Sequence, residues 1–269
     1  MQWKGYRKYP IIGILIAISA IIMLPSKSPR RSFRDYEDIQ TEGILRITTN
    51  YSTKSYYVND KGNIDGYHYQ LAKQFADIHN LKLEVIPLTS YIEQEELLRN
   101  GGCDIIINGR PLSILPDTFF RHTVPVDINR QILIQRRPLT STDSTQYYLK
   151  SQIDLAGRTL TIPAGSTFRN RIHHLIEEIG DTIYIHEMPL YGEEQLMAMV
   201  AHGDIPYAIC DEKTVKAYIH QYPQLDNTLA FGFNQFYTWI VNQHSTALLD
   251  SLNIWIPRLQ ENKHIAKEK

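Results

Sequence analysis

Residues 62–88, GNIDGYHYQLAKQFADIHNLKLEVIPL, followed by residues 96–125, ELLRNGGCDIIINGRPLSILPDTFFRHTVP, decide how the chain folds. A glycine turn opens a helix with Leu71, Phe75 and Ile78 on one stripe. A short apolar strand ends at Pro87, a second helix stops at Asn100-Gly101-Gly102, and a strand follows over Asp104–Ile107. Period 3.6 alternating with short apolar runs predicts βαβαβ packing, hence an α/β fold. The second helix starts at Ser90 with Glu93 three residues on, a capping box, and the glycine pair marks its C-cap.

Working outward, strand Ile44–Thr49 begins this unit. Downstream, the pattern predicts strands over Arg130–Gln135, Thr159–Ile162, Ile183–His186, Tyr207–Ile209 and Tyr237–Val241. Helices are predicted over Phe168–Ile179 and Glu193–Ala201, and over Thr246–Ile256 until Pro257 breaks the last one. A chain of 269 residues exceeds what one core usually holds, so two lobes are expected.

Composition fits a globular body: 43% hydrophobic, 21% charged, with 28 basic against 29 acidic side chains. A formal charge of −1 argues against nucleic-acid binding, which wants a concentrated basic face. Cys103 and Cys210 each directly precede an aspartate in corresponding places of two half-repeats, which puts them in different lobes as buried thiols. No Cys/His metal spacing is present, and His173-His174 point about 100° apart on a helix, so neither a metal nor another cofactor is expected.

The N-terminus carries Lys4, Arg7 and Lys8 ahead of an apolar run, Ile11–Leu24, of about 14 residues. A membrane span wants about 20. No small-x-small cleavage site follows, and the chain turns basic at Lys27, Arg30, Arg31 and Arg34. Residues 1–25 therefore read as an uncleaved signal anchor, with cleavage as the alternative, and residues 26–41 read as a polar tether. Basic residues on both flanks leave orientation open.

Four motifs in order resemble the family 3 periplasmic solute-binding proteins. They are Gly62–Ala72 ("G-x-x-x-G-[FY]-x-x-x-L-A"), Leu98–Ile105 ("L-x-x-G-x-x-D-[LIV]"), Gly165-Ser166-Thr167, and the GDIPYAICD run ending at Asp211. The wording around Asp211 and the QYPQL that follows is similar to the binding domain fused to F-type membrane-bound lytic transglycosylases. The resemblance covers roughly residues 42–256.

It implies a two-lobed, hinged fold with lobe one at 42–129 and 228–269 and lobe two at 130–227. It also implies an outward-facing protein that binds a small molecule without transforming it. Its partners would be the membrane through the N-terminal helix, a transporter permease or sensor, or a separate cell-wall enzyme. With the sequence ending at Lys269, the lysozyme-like domain of those transglycosylases is not expected here.

Ligand chemistry in such folds sits beyond the carboxyl ends of the strands. The resemblance places Tyr51, Asn108, Gly109, Arg110, Ser166, Thr167 and Asp211 there. Asp211 would hold a ligand ammonium, or cap the helix after it. Ser166 and Thr167 would cap a helix or leave amide donors for an anionic group. Tyr51 would offer a ring with a polar tip, and Asn108 and Gly109 their backbone carbonyls. The family's carboxylate-clamping arginine falls on Pro116, so the clamp is missing, and Arg110 is either its replacement or a surface arginine paired with Asp104 or Asp117. Asp211 is the only strongly placed carboxylate, so no acid–base pair argues for an enzyme.

Overall fold

The computed structural model describes residues 33–112, 118–138 and 147–267. The signal-anchor segment, residues 26–32 and the clamp position Pro116 lie outside them. Among the described residues no helix is long and apolar enough to cross a membrane.

The body begins with helix α1 (Tyr36–Glu42), capped by Asp35 in a full capping box with Asp38. This corrects the end of the tether expected over residues 26–41, where residues 36–41 are helical. Ile39 is fully buried in the core of lobe one. The Asp35 carboxylate also accepts from Ala247 N (3.1 Å) and Leu248 N (2.8 Å), so one side chain serves the first turns of two helices. A lone Ile39 among polar neighbours carries no periodic signal, which is why the sequence reads as a linker there.

From α1 the chain enters β1 (Ile44–Thr49), a small hairpin of β2 (Tyr57–Val58) and β3 (Ile64–Asp65), then α2 (Tyr67–Ile78), β4 (Lys82–Pro87), α3 (Tyr91–Arg99) and β5 (Ile105–Pro111). Strands β6 (Phe120–His122) and β7 (Asp127–Asn129) complete the first pass. Gly66 opens α2 because its φ of 128° and a backbone oxygen of Ser55, 2.5 Å from where a Cβ would stand, admit no side chain. The buried face of α2 is His68, Leu71, Ala72, Phe75 and Ala76, whereas Ile78 is 62% exposed. At 100° per residue Ile78 sits roughly 90° round from the middle of that face.

The chain crosses at Arg130 into β8 (Gln131–Arg136), then β9 (Thr159–Pro163), α4 (Phe168–Ile179), β10 (Tyr184–Met188), α5 (Glu193–His202), β11 (Tyr207–Asp211), α6 (Glu212–Tyr218) and β12 (Leu225–Asp226). It returns as β13 (Gln235–Asn242) and ends in α7 (Thr246–Lys267). Pro257 does not break α7 as expected. Trp255 and Ile256 before the proline and Leu259 after it all pack on the lobe-one core, which offsets the one lost hydrogen bond.

Sheet one runs β4-β1-β5-β13-β6, with β7 also on β13, and sheet two runs β10-β9-β11-β8-β12. Each is parallel except at its crossing strand: β13 is antiparallel to β5, and β8 is antiparallel to β11. The strand that leaves one lobe therefore sits in the sheet of the other lobe in the equivalent place. Cys103 and Cys210 are buried free thiols in separate core clusters.

Ile39→Ala should cost about 2–5 kcal/mol by urea denaturation, the range for emptying a core site. A loss below about 0.5 kcal/mol, normal for a surface position, would return α1 to the status of a tether.

Candidate functional site

The parallel strands of both sheets end facing each other, and one cavity lies between them. Its wall includes Tyr51, Asn108, Gly109 and Asp211 from the sequence reading, together with Lys54, Tyr91, Glu193 and Glu194. The cavity measures about 30 Å³, room for about two waters.

Asp211 closes β11 and begins α6, but its side chain makes no capping bond. Both carboxylate oxygens reach across to lobe one. Oδ1 accepts from the Tyr237 hydroxyl, and Oδ2 accepts from Lys54 Nζ at 3.5 Å. The Lys54 ammonium also lies 4.8 Å from the centre of the Tyr237 ring, a cation–π contact. One residue earlier, Thr53 N donates to Glu194 Oε1 (3.1 Å). The loop after β1 is thus fastened to lobe two at consecutive positions.

Glu193 supplies a second carboxylate beside Asp211, which corrects the expectation that Asp211 stands alone. Its Oε2 accepts from Asp211 N at 2.7 Å. Burial first, and the Asp211 charge second, push the Glu193 carboxyl up. Burial also pushes Asp211 up, against Lys54 and the Tyr237 hydroxyl, which pull it down. The two acids stand on the same wall, joined through the Asp211 backbone. They do not flank the cavity as an acid and a base on opposite sides of a reacting bond.

The Arg110 guanidinium is committed elsewhere. It pairs with Glu95, donates to Tyr91 O (3.2 Å) and Gln94 Oε1 (3.3 Å), and stacks on the Tyr91 ring at 4.9 Å. Residues 106, 108 and 110 share one face of β5, and α3 covers that face. Arg110 therefore serves α3 and is neither a carboxylate clamp in the cavity nor a partner of Asp104. Asp104 instead takes Arg34 and the Arg46 amide.

Asn108 donates from Nδ2 to Gln94 Oε1 (2.9 Å), while Gln94 donates to Leu88 O. That chain of bonds fixes the amide orientation and leaves Asn108 Oδ1 buried without a partner, like Asn50 Oδ1.

Ser166 and Thr167 do not line the cavity. Ser166 is buried with its hydroxyl unpartnered, and Thr167 starts α4 without a side-chain cap. The adjoining Gly165 instead packs on α3. Its φ is 69°, and a Cβ there would meet Ile92 at 2.9 Å. Tyr51, 56% exposed, stands at the rim edge-on to Tyr56 at 5.4 Å.

Behind Gly109, His68 accepts from Trp239 Nε1 (3.1 Å), leaving Nε2 buried and unpartnered. Burial, and then Lys54, hold that imidazole well below its usual range.

Residues 45–268 match the model of the bacterial extracellular solute-binding proteins, family 3. The chain belongs to that family. Among its relatives is the membrane-bound lytic murein transglycosylase F of Shewanella sp. (strain MR-4), 27% identical over 209 residues, 77% of this chain and 42% of that protein. The same enzyme of Aeromonas hydrophila is 27% identical over 233 residues, 87% of this chain and 45% of that protein. The chain spans less than half the length of these relatives.

Among solved structures, holo ArgBP from T. maritima superposes with a TM-score of 0.70 at 19% identity, covering 83% of this chain and 93% of that one. The L-arginine-bound substrate-binding protein AbpA of Streptococcus pneumoniae gives 0.69 at 21%, covering 86% and 94%. The ancestral amino-acid-binding protein AncCDT-1, a precursor of cyclohexadienyl dehydratase, gives 0.70 at 16%, covering 86% and 96%. These likenesses establish the two-lobed α/β fold of the family.

The acidic pair makes stability depend on pH. The folded Glu193 value lies above that of the unfolded chain. Its contribution is therefore fully present below about pH 4 and is lost as pH rises through the raised value. The charged and titratable groups around the pair are Lys54, Tyr91, Cys210, Tyr237, Glu194 and Asp127. Glu193→Gln keeps an acceptor for the Asp211 amide and cannot ionise. Its melting temperature should gain on wild type from pH 5 to pH 9, by about 2–4 °C for each kcal/mol removed. A difference that stays flat over that range would mean Glu193 is an ordinary surface carboxylate.

Proposed function

We propose that the protein captures a small polar solute, amino-acid-like or peptide-like, between its two lobes outside the cytoplasm, and that lobe closure is what a membrane partner reads. The observation that carries this is the acceptor-rich cavity between the lobes. Its lining includes two carboxylates, Asp211 and Glu193, and two residues, Asn50 and Asn108, that each bury an unpartnered amide oxygen. Unsatisfied buried acceptors favour a ligand that brings donors, and an ammonium or guanidinium group is the donor-rich choice. The arginine bound to AbpA and the holo ArgBP from T. maritima are in keeping with such a ligand on this fold. Without an arginine at the family's clamp position, the carboxylate end of a free α-amino acid has a weaker hold, which favours ligands whose carboxyl is masked, as in a peptide.

Closure would follow from contacts made only when both walls meet, since binding moves an open–closed equilibrium only by the difference in affinity for the two states. Arg130, at the single-residue crossing, pairs with Glu212 at 2.7 Å, and Lys213 pairs with Asp127, so charged contacts brace the hinge. A permease or sensor would read the closed form. An N-terminal membrane anchor would hold the module beside it.

The transglycosylase relatives support a second reading, in which the module regulates a cell-wall lytic enzyme by sensing its fragments. An enzymatic role for the module itself is disfavoured, because its two buried acids share one wall.

A thermal-shift screen of amino acids, short peptides and muropeptide fragments identifies the ligand, which must raise the melting point in a concentration-dependent way. Asp211→Asn, which still accepts the Tyr237 bond, should then bind the identified ligand more weakly by well over tenfold, since an unpaired desolvated charge costs about 2–5 kcal/mol. Equal affinity in the two proteins would remove Asp211 from the ligand site.

A further inference from the structure

The cavity between the lobes already holds a cation that belongs to the chain. Lys54 extends from the loop after β1 with its side chain only 13% exposed, and the Asp211 side chain it meets is 8% exposed. Its ammonium has three features expected of a bound organic cation: a carboxylate at 3.5 Å, an aromatic face at 4.8 Å, and little solvent. The main chain fits this placement, because the Thr53–Glu194 bond pins the loop to lobe two next to the lysine.

Charge balance points the same way. Burial, and then the Asp211 charge, push the Glu193 carboxyl up, so the pair favours about one negative charge over two. Lys54 supplies the one positive charge that matches it. Arg110, which stacks on the cavity-lining Tyr91, is spent on Glu95. The remaining space of about 30 Å³ is far below the several hundred Å³ of an ordinary small-molecule pocket.

We propose that Lys54 is a built-in occupant of the cation subsite formed by Asp211 and Tyr237, and that an incoming ligand's ammonium or guanidinium group binds by displacing it. This rests on the ligand-cleft reading above and adds the identity of the competitor. The apparent affinity for a cationic ligand is reduced by the fraction of time Lys54 holds the subsite. Lys54 is thus a specificity device: it rejects cations too weak to exchange with it, and it latches the lobes until exchange occurs.

The test uses n-butylammonium, a four-carbon ammonium that reproduces the lysine side chain, and needs no knowledge of the natural ligand. Lys54→Ala should melt below wild type in sodium chloride. n-Butylammonium chloride at equal ionic strength should raise the melting point of Lys54→Ala saturably and leave wild type unmoved. The rescue should vanish in Lys54→Ala/Asp211→Asn. An identical response of wild type and Lys54→Ala would overturn the proposal.

A measurement on the unmutated protein decides the matter if the alanine variant does not fold. Under limiting acetic anhydride, read by peptide mass spectrometry, Lys54 should react about tenfold more slowly than Lys82, because reaction waits on opening of the cleft. Lys82 is 71% exposed in its side chain. Equal labelling rates would also overturn the proposal. A failed butylammonium rescue alongside Asp211-dependent ligand binding strikes only the role of Lys54. Loss of the Asp211 dependence strikes the proposed function itself.

Discussion

Placing a carboxylate between two protein lobes costs several kcal/mol unless its oxygens find partners there. Asp211 meets that cost from lobe one. One oxygen takes the Tyr237 hydroxyl on the return strand β13, and the other takes the Lys54 ammonium on the loop after β1. A group fixed at the end of β11 in lobe two therefore takes its side-chain partners from lobe one, and keeps them only while the lobes are together. Glu193 adds to this dependence, since its carboxylate accepts the Asp211 amide and so sits close enough to oppose the Asp211 charge. As the first residue of α5, Glu193 gains about 0.3–1 kcal/mol from the helix dipole. Burial outweighs that gain, and the carboxyl ends up raised.

The remainder of the architecture puts these few groups in register. Two sheets of the same order, each completed by one antiparallel strand from the crossing segments, turn their parallel-strand ends toward a common space. Arg130 alone separates β7 in one sheet from β8 in the other, so the hinge has little slack on that side. On the far side of the cleft, Gly165 lets the start of α4 rest directly on Tyr91 and Ile92 of α3. The packing that brings Gly165 to α3 also explains why Ser166 and Thr167 stand outside the cavity.

Much of this is legible in the order of residues. Apolar strands, amphipathic helices and glycine stops mark the elements of both lobes, and the resemblance to the family singles out Asp211 at the end of one of those strands. Other features depend on tertiary facts that no local pattern encodes. Arg110 sits one parity step from Gly109 on β5, and only the placement of α3 decides that its face is covered. Lys54 lies in a polar loop and reads as solvated until lobe two is seen above it. Glu193 looks like an ordinary acid in the first turn of a helix. Tyr237, in an apolar strand, looks like core, and only its hydroxyl reveals a second duty. Ile39 is invisible for the opposite reason, as a single apolar residue whose burial depends on α7 and sheet one.

The Asp211–Lys54 contact across the cleft couples the lobes. A double-mutant cycle for unfolding, with Lys54→Met, Asp211→Asn and the double variant, isolates that contact. The expected coupling energy is at least about 1.5 kcal/mol, as for close charge pairs at protein interfaces. Effects that add to within about 0.5 kcal/mol, as for residues that do not interact, would contradict it.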